Sequence, residues 1–290
     1  MQENAFLASA RSGKNAIWRY GLTILLIVTA FFVVTLVVGL AILIATGGQT
    51  DLAQLPATAA LLLLGLPFGS GLFTLWFGIS ILHQRRFRSL ITPHPAFSWQ
   101  RFLLSAGLWL AVSGLSDLVL GAFVTPGNYV WHWDARAFIS YAVLALLLIP
   151  IQSFTEELIA RGYLMQGLGL LFRRAWPPLL LSSAIFAALH SFNPEIVTYG
   201  FPVMIASYLS MGLFLGWITL RNEGLEAALG LHTANNLYAA LLVNYPSSAI
   251  TSPALFTMRT FNPYIALLSF YIMAALYLLL FRWLDRKGDR

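Results

Sequence analysis

SYAVLALLLIPIQSFTEELIARGY, residues 140–163, starts as a membrane interior and ends with three charges in six residues. Its first fourteen residues carry no charge. Glu156, Glu157 and Arg161 then follow, and the apolar pattern resumes to about residue 171, so the charges lie inside a span and not at its edge. A single charge at the bilayer centre costs about 3 kcal/mol or more unless it is paired or faces a cavity. A span that carries three charges is therefore where a functional site is sought.

The rest of the chain agrees with a membrane setting. Of 290 residues, 59% are hydrophobic and 10% are charged, and the mean hydropathy is +0.76, far from an ordinary soluble domain. Apolar windows recur at roughly 20 residues, the length at which an α-helix crosses hydrocarbon. The fold class is therefore an all-α integral membrane protein, and no strand pattern competes with it. Lys and Arg total 17 against 11 Asp and Glu. In this setting the excess suits loops facing anionic headgroups and does not point to nucleic acid. Cysteine is absent, which excludes a thiol nucleophile, a disulfide framework and a cysteine-ligated metal.

Eight windows emerge, near 20–46, 56–82, 102–124, 138–171, 177–192, 200–220, 226–244 and 262–283. Basic residues mark alternate boundaries: Arg11, Lys14 and Arg19; Arg85, Arg86, Arg88 and Arg101; Arg173 and Arg174; Arg221; and Arg282, Arg286, Lys287 and Arg290. The opposite loops hold only Arg136 and Arg259. This asymmetry predicts both termini in the cytoplasm, with residues 1–19 and 284–290 as tails and 20–283 as the bundle. The first tail is polar for too long to be a cleavable signal peptide. Short loops and the lack of a retention signal point to a prokaryotic plasma membrane.

Few ionisable groups fall within the windows. They are Asp117, Glu156, Glu157, Arg161, His190 and His232. Glu157 and Arg161 stand at i and i+4, the spacing and order of a favourable helical ion pair. Glu156 points about 100° away and is left over. An unpaired carboxylate in low dielectric is a candidate general base, and the alternative is that both acids hold a buried polar network together. His232 and Asn236 also stand at i and i+4, with Asn235 beside them. A buried His and Asn are equally suited to packing helices through interhelical hydrogen bonds. Helical rise puts Glu156, His190 and His232 roughly 26, 24 and 16 Å from their nearest basic loops, near mid-membrane in a pocket facing the cytoplasm. Asp117 lies toward the outer side and reads as structural. A carboxylate, two imidazoles and an amide suit activation of water on an amide carbonyl. They suit a metal equally, with His190, His232 and Glu156 as ligands, so the residues allow Zn2+ or no cofactor at all.

Three short patterns carry a resemblance. EELIAR (156–161), FAALH (186–190) and HTANN (232–236) fall on three separate predicted helices. In this order they resemble the EExxxR, FxxxH and HxxxN motifs of the CPBP family of intramembrane proteases, also called the ABI or CAAX-protease and bacteriocin-processing family. The resemblance covers about residues 138–244. It implies Glu156 as catalytic glutamate, Glu157 and Arg161 as its supporting pair, His190 as a partner in activating water, and His232 with Asn236 as the oxyanion site. It also implies an endopeptidase whose peptide or protein substrate arrives from membrane and cytoplasm; family members include enzymes that cut prenylated CAAX proteins.

Two other classes fit the same buried groups. A transporter or channel would use them as a proton or ion relay, although no inverted repeat is visible. A non-catalytic scaffold or immunity protein would use them for binding alone. Gly69-Ser70-Gly71 suggests a serine protease only vaguely, and neither HExxH nor a paired-aspartate motif is present.

Overall fold

In hydrocarbon every backbone N–H and C=O must be bonded within its own segment, so apolar runs of this length have no alternative to the α-helix. The computed structural model describes residues 4–49 and 54–288, with side chains to residue 285; residues 1–3 and 289–290 of the two tails lie outside it. The chain is an all-α, multi-pass membrane protein. Its helices are α1 (Ala5–Ala8), α2 (Ile17–Ala45), α3 (Ala57–Phe77), α4 (Trp99–Val119), α5 (Ala135–Glu157), α6 (Gln166–Gly169), α7 (Trp176–Leu189), α8 (Pro194–Tyr199), α9 (Phe201–Asn222), α10 (Glu226–Leu241) and α11 (Pro263–Gly288). All eight sequence windows contain a helix. Six helical segments are long and apolar enough to cross a membrane, whereas the fifth window holds the shorter Trp176–Phe192 and the seventh holds α10, of 16 residues. The fifth is stopped by Asn193-Pro194, because proline cannot continue a helix and pushes its predecessor into extended backbone; Asn193 has φ −70° and ψ 147°.

The centre of the bundle is α10, which packs on α4, α5 and α9. Every residue from Glu226 to Ala234 is buried, so this helix lacks a lipid-facing stripe. Its closest approach to α4 is at Gly230, where a Cβ would stand 2.1 Å from the Phe102 carbonyl oxygen. Glycine is required there because backbone meets backbone. Gly230→Ala should therefore lower stability by about 1–3 kcal/mol, the usual cost of overpacking, read as an earlier thermal unfolding transition in detergent. An unchanged transition would mean that α4 gives way freely.

The long fourth window is one continuous helix with a π segment, Leu158–Met165, inserted between α5 and α6. Widened turns of this kind gather at functional sites, and this one starts immediately after Glu157. It is packed from outside by the 3-10 turn Phe87–Leu90, and a Cβ on Gly162 would lie 2.8 Å from the Leu90 carbonyl. Across it, α7 packs on α9. Gly212 and Gly216, spaced as GxxxG, let those helices approach closely, with a Gly212 Cβ 3.2 Å from Ser183.

Two features depart from the sequence reading. Short strands do form, two between the windows and one at the end of the seventh: β1 (Tyr129–Trp131) pairs antiparallel with β3 (Phe256–Met258), which pairs in parallel with β2 (Val243–Asn244). Aromatic and β-branched side chains in loops long enough to meet account for them. The polar N-terminal segment, read as a tail, folds back onto the bundle from residue 4. Phe6 is fully buried in a cluster with Leu75, Ile79, Leu158, Tyr163 and Met165. Asn4 donates to the Leu220 carbonyl at 2.8 Å and the Ala5 N–H donates to Glu223 at 2.9 Å. The apolar run Ala5–Ala8 is too short to carry a periodicity, so pattern reading passes over it.

Candidate active site

Glu157 and Arg161 are both fully buried, and Nη1 of the arginine donates to Oε1 of the glutamate at 2.7 Å. Arg161 spends Nη2 and its flat face on tertiary partners, while its buried Nε has no hydrogen-bond partner among the described residues. Nη2 donates to the Gly212 carbonyl at 2.9 Å, and the guanidinium lies 4.6 Å from the centroid of the Phe186 ring. A buried charge pair is stable only when its remaining hydrogen-bonding capacity is also met, and α9 supplies part of that here.

His232 on α10 reaches both glutamates. Its Nδ1 is 2.8 Å from Glu157 Oε1, and its Nε2 is 3.4 Å from Glu156 Oε2. A carboxylate already bound to Arg161 only accepts, so Nδ1 carries a proton. On the other side, one further proton is needed between Nε2 and Glu156 for a hydrogen bond to form. Glu156 and His232 thus form a unit, within ion-pair distance, placed to pass a proton between them. Glu156 is not left over, as spacing within its own helix suggests: Gln152, one turn earlier, donates to its Oε1 at 3.3 Å. Its side chain keeps 13% exposure, whereas that of Glu157 has none.

The remaining predicted residues surround this unit. His190, at the end of α7, turns Nδ1 to the Phe186 carbonyl at 2.8 Å. A carbonyl only accepts, so in the neutral ring Nε2 keeps its lone pair. The imidazole is packed against the rings of Phe186 and Tyr208, with centroids 4.3 and 4.6 Å away, and among the described residues it bonds to neither glutamate. Phe186 joins the groups together, because its ring also meets Arg161 and, at 6.2 Å, His232. Asn236 faces α5 and donates to Ser153 at 3.4 Å, while Asn235 turns away to accept from Trp109 Nε1 at 3.1 Å. Asp117 lies apart, accepting from Tyr129 and Tyr238 at 2.9 and 2.7 Å, a structural anchor between α4, α10 and the loop carrying β1.

A family model described as type II CAAX prenyl endopeptidase Rce1-like matches residues 137–238, the segment that contains all of these side chains except Trp109, Asp117 and Tyr129. Protein YyaK of Bacillus subtilis (strain 168), itself uncharacterized, is 31% identical over 264 residues, covering 87% of this chain and 86% of that protein. This chain belongs to the Rce1-like family. No solved structure matches it.

Several groups in this Rce1-like protein escape sequence reasoning. Gln152 and Ser153 lie one helical turn before Glu156 and Glu157, so spacing would have offered them. Trp109 and the Gly212 carbonyl come from other helices and leave no local signal. A metal in this family member would need three protein donors. Among the described residues no three His, Asp or Glu side chains are grouped to hold one. The donor set does not fit a resident zinc ion, and no step below is routed through one.

Proposed function

We propose that this protein is an intramembrane endopeptidase that hydrolyses a peptide bond with water activated by Glu156, acting on a peptide or protein that reaches the bundle from the membrane and the cytoplasm. The observation that carries the reading is the Glu156–His232 unit. It pairs a slightly exposed carboxylate with an imidazole whose far side is fixed by a fully buried ion pair. Membership in a protease family supports peptidase activity.

In this reading Glu156 takes a proton from water as the oxygen attacks the scissile carbonyl carbon. The tetrahedral oxyanion is met by the second N–H of Asn236, besides the one on Ser153, and by His232 Nε2–H once that nitrogen has received the proton that Glu156 drew from water. Collapse breaks the C–N bond, and the proton held by the Glu156–His232 unit passes to the leaving amine. His190, with a lone pair on Nε2, orients the attacking water. Glu157 and Arg161 touch no substrate and act as positioning residues for His232.

The direct test is mass-spectrometric analysis of prenylated peptides ending in CAAX-type sequences after incubation with the protein in liposomes, at the plasma-membrane lipid composition of a prokaryote. Release of a C-terminal fragment is expected. Intact peptides together with a proton or ion flux through the liposomes would overturn the reading in favour of a relay. Dialysis against a strong chelator should leave the cleavage rate within about twofold, since the donor set does not fit a three-ligand zinc site; a loss restored by added Zn2+ would contradict that geometry.

A further inference from the structure

The ends of α4, α9 and α11 border an open cleft of about 570 Å3, with Arg221 and Arg282 exposed in it, that shares no residue with the glutamate–histidine site. Arg101, Arg221 and Arg282 line it, one from each helix. The guanidinium carbons of Arg221 and Arg282 lie 5.5 and 5.7 Å from the centroid of one ring, that of Trp217. Neither arginine has an ion-pair partner among the described residues. Two carboxylates also line the cavity, and both are committed. Asp285 meets Arg101 at 3.4 Å, and Glu223 holds the Ala5 N–H. A hydrogen bond to a neutral N–H leaves the charge of Glu223 in place, so three arginines against two carboxylates give the cavity a net charge of +1, and two of the cations share one aromatic ring, an arrangement that suits an anion.

The height of the cavity narrows the choice of anion. Trp99 and Trp283, neighbours in sequence of Arg101 and Arg282, are 63% and 55% exposed, as aromatic side chains at a membrane–water boundary are. From the cavity wall at Leu278, α11 runs into the bilayer with Leu268, Ile272 and Leu279 outward, at 62%, 54% and 67% exposure. A phosphate in the cavity therefore has an apolar surface directly below it for acyl chains. We infer that this cavity is a headgroup site for an anionic phospholipid, with the phosphodiester bridging Arg221 and Arg282 beside Trp217. Basic pockets between transmembrane helices are suited to such headgroups, each basic residue adding to the attraction.

The test uses the full-length protein in a neutral detergent and native mass spectrometry with phosphatidylglycerol or phosphatidylcholine. The wild type should bind phosphatidylglycerol about tenfold more tightly than phosphatidylcholine. Arg221→Gln with Arg282→Gln should abolish that preference, while Arg221→Lys with Arg282→Lys, which keeps both charges, should retain it and exclude misfolding as the cause. Equal binding of the two lipids by the wild type, or an undiminished preference in the Gln variant, would overturn the site. Displacement of phosphatidylglycerol by millimolar inorganic phosphate would overturn the assignment to lipid and leave a free-anion site.

Discussion

Glu156→Gln lowers the rate of peptide cleavage by about 10^3-fold, within the range that a positioned general base contributes, while thermal unfolding stays where it was. The amide occupies the same space and can bond to both Gln152 and His232, which touch this side chain at 3.3 and 3.4 Å. It cannot accept a proton from water. The change therefore removes one chemical property and leaves packing alone, and substrate binding, read as KM, should move far less than kcat. Glu156→Asp should recover part of the rate, because the carboxylate returns at a shorter reach. Cleavage by Glu156→Gln at the wild-type rate would remove this residue from the chemistry, whatever its neighbours do.

Arg161→Met should have the largest effect on stability. It strips Glu157 of the partner at 2.7 Å in a site with no solvent exposure, and leaves the Gly212 carbonyl and the Phe186 face without their cation. Removing one member of a buried pair costs about 3–5 kcal/mol, roughly a 10 °C fall in the unfolding midpoint for a chain of this order of size. Glu157→Leu combined with Arg161→Met should be more stable than Arg161→Met alone, because an apolar pair is cheaper than one orphaned charge. A double variant that is as unstable as the sum of the two single changes would show that the two side chains do not act as a pair. Both single variants should also lose cleavage, since His232 Nδ1 is held by Glu157.

The all-helical fold was legible because the hydrocarbon leaves the backbone little choice. The Glu157–Arg161 pair was legible too, since both partners sit on one helix at a spacing that geometry dictates. The rest of the site joins residues far apart in sequence. His232 is 75 positions from the glutamate it bonds, and no spacing argument reports that it lies between two carboxylates. The π segment was invisible for another reason: LIARGYLM contains no residue that demands a wide turn. The burial of α10 was equally hidden, because a helix buried along its first half looks like any lipid-facing span in a hydropathy profile.

The contacts of the N-terminal segment also constrain how the protein is made. Asn4 and Ala5 bond to Leu220 and Glu223, partners 216 and 218 positions later. During synthesis these first residues emerge long before their partners exist, and must wait while the intervening helices are threaded into the bilayer. The partners of Phe6 arrive in stages through that interval, Leu75 and Ile79 first and Leu158, Tyr163 and Met165 later. Docking of the amino terminus therefore comes late in assembly, and a truncation that removes it should leave helices inserted while the bundle stays open on that face.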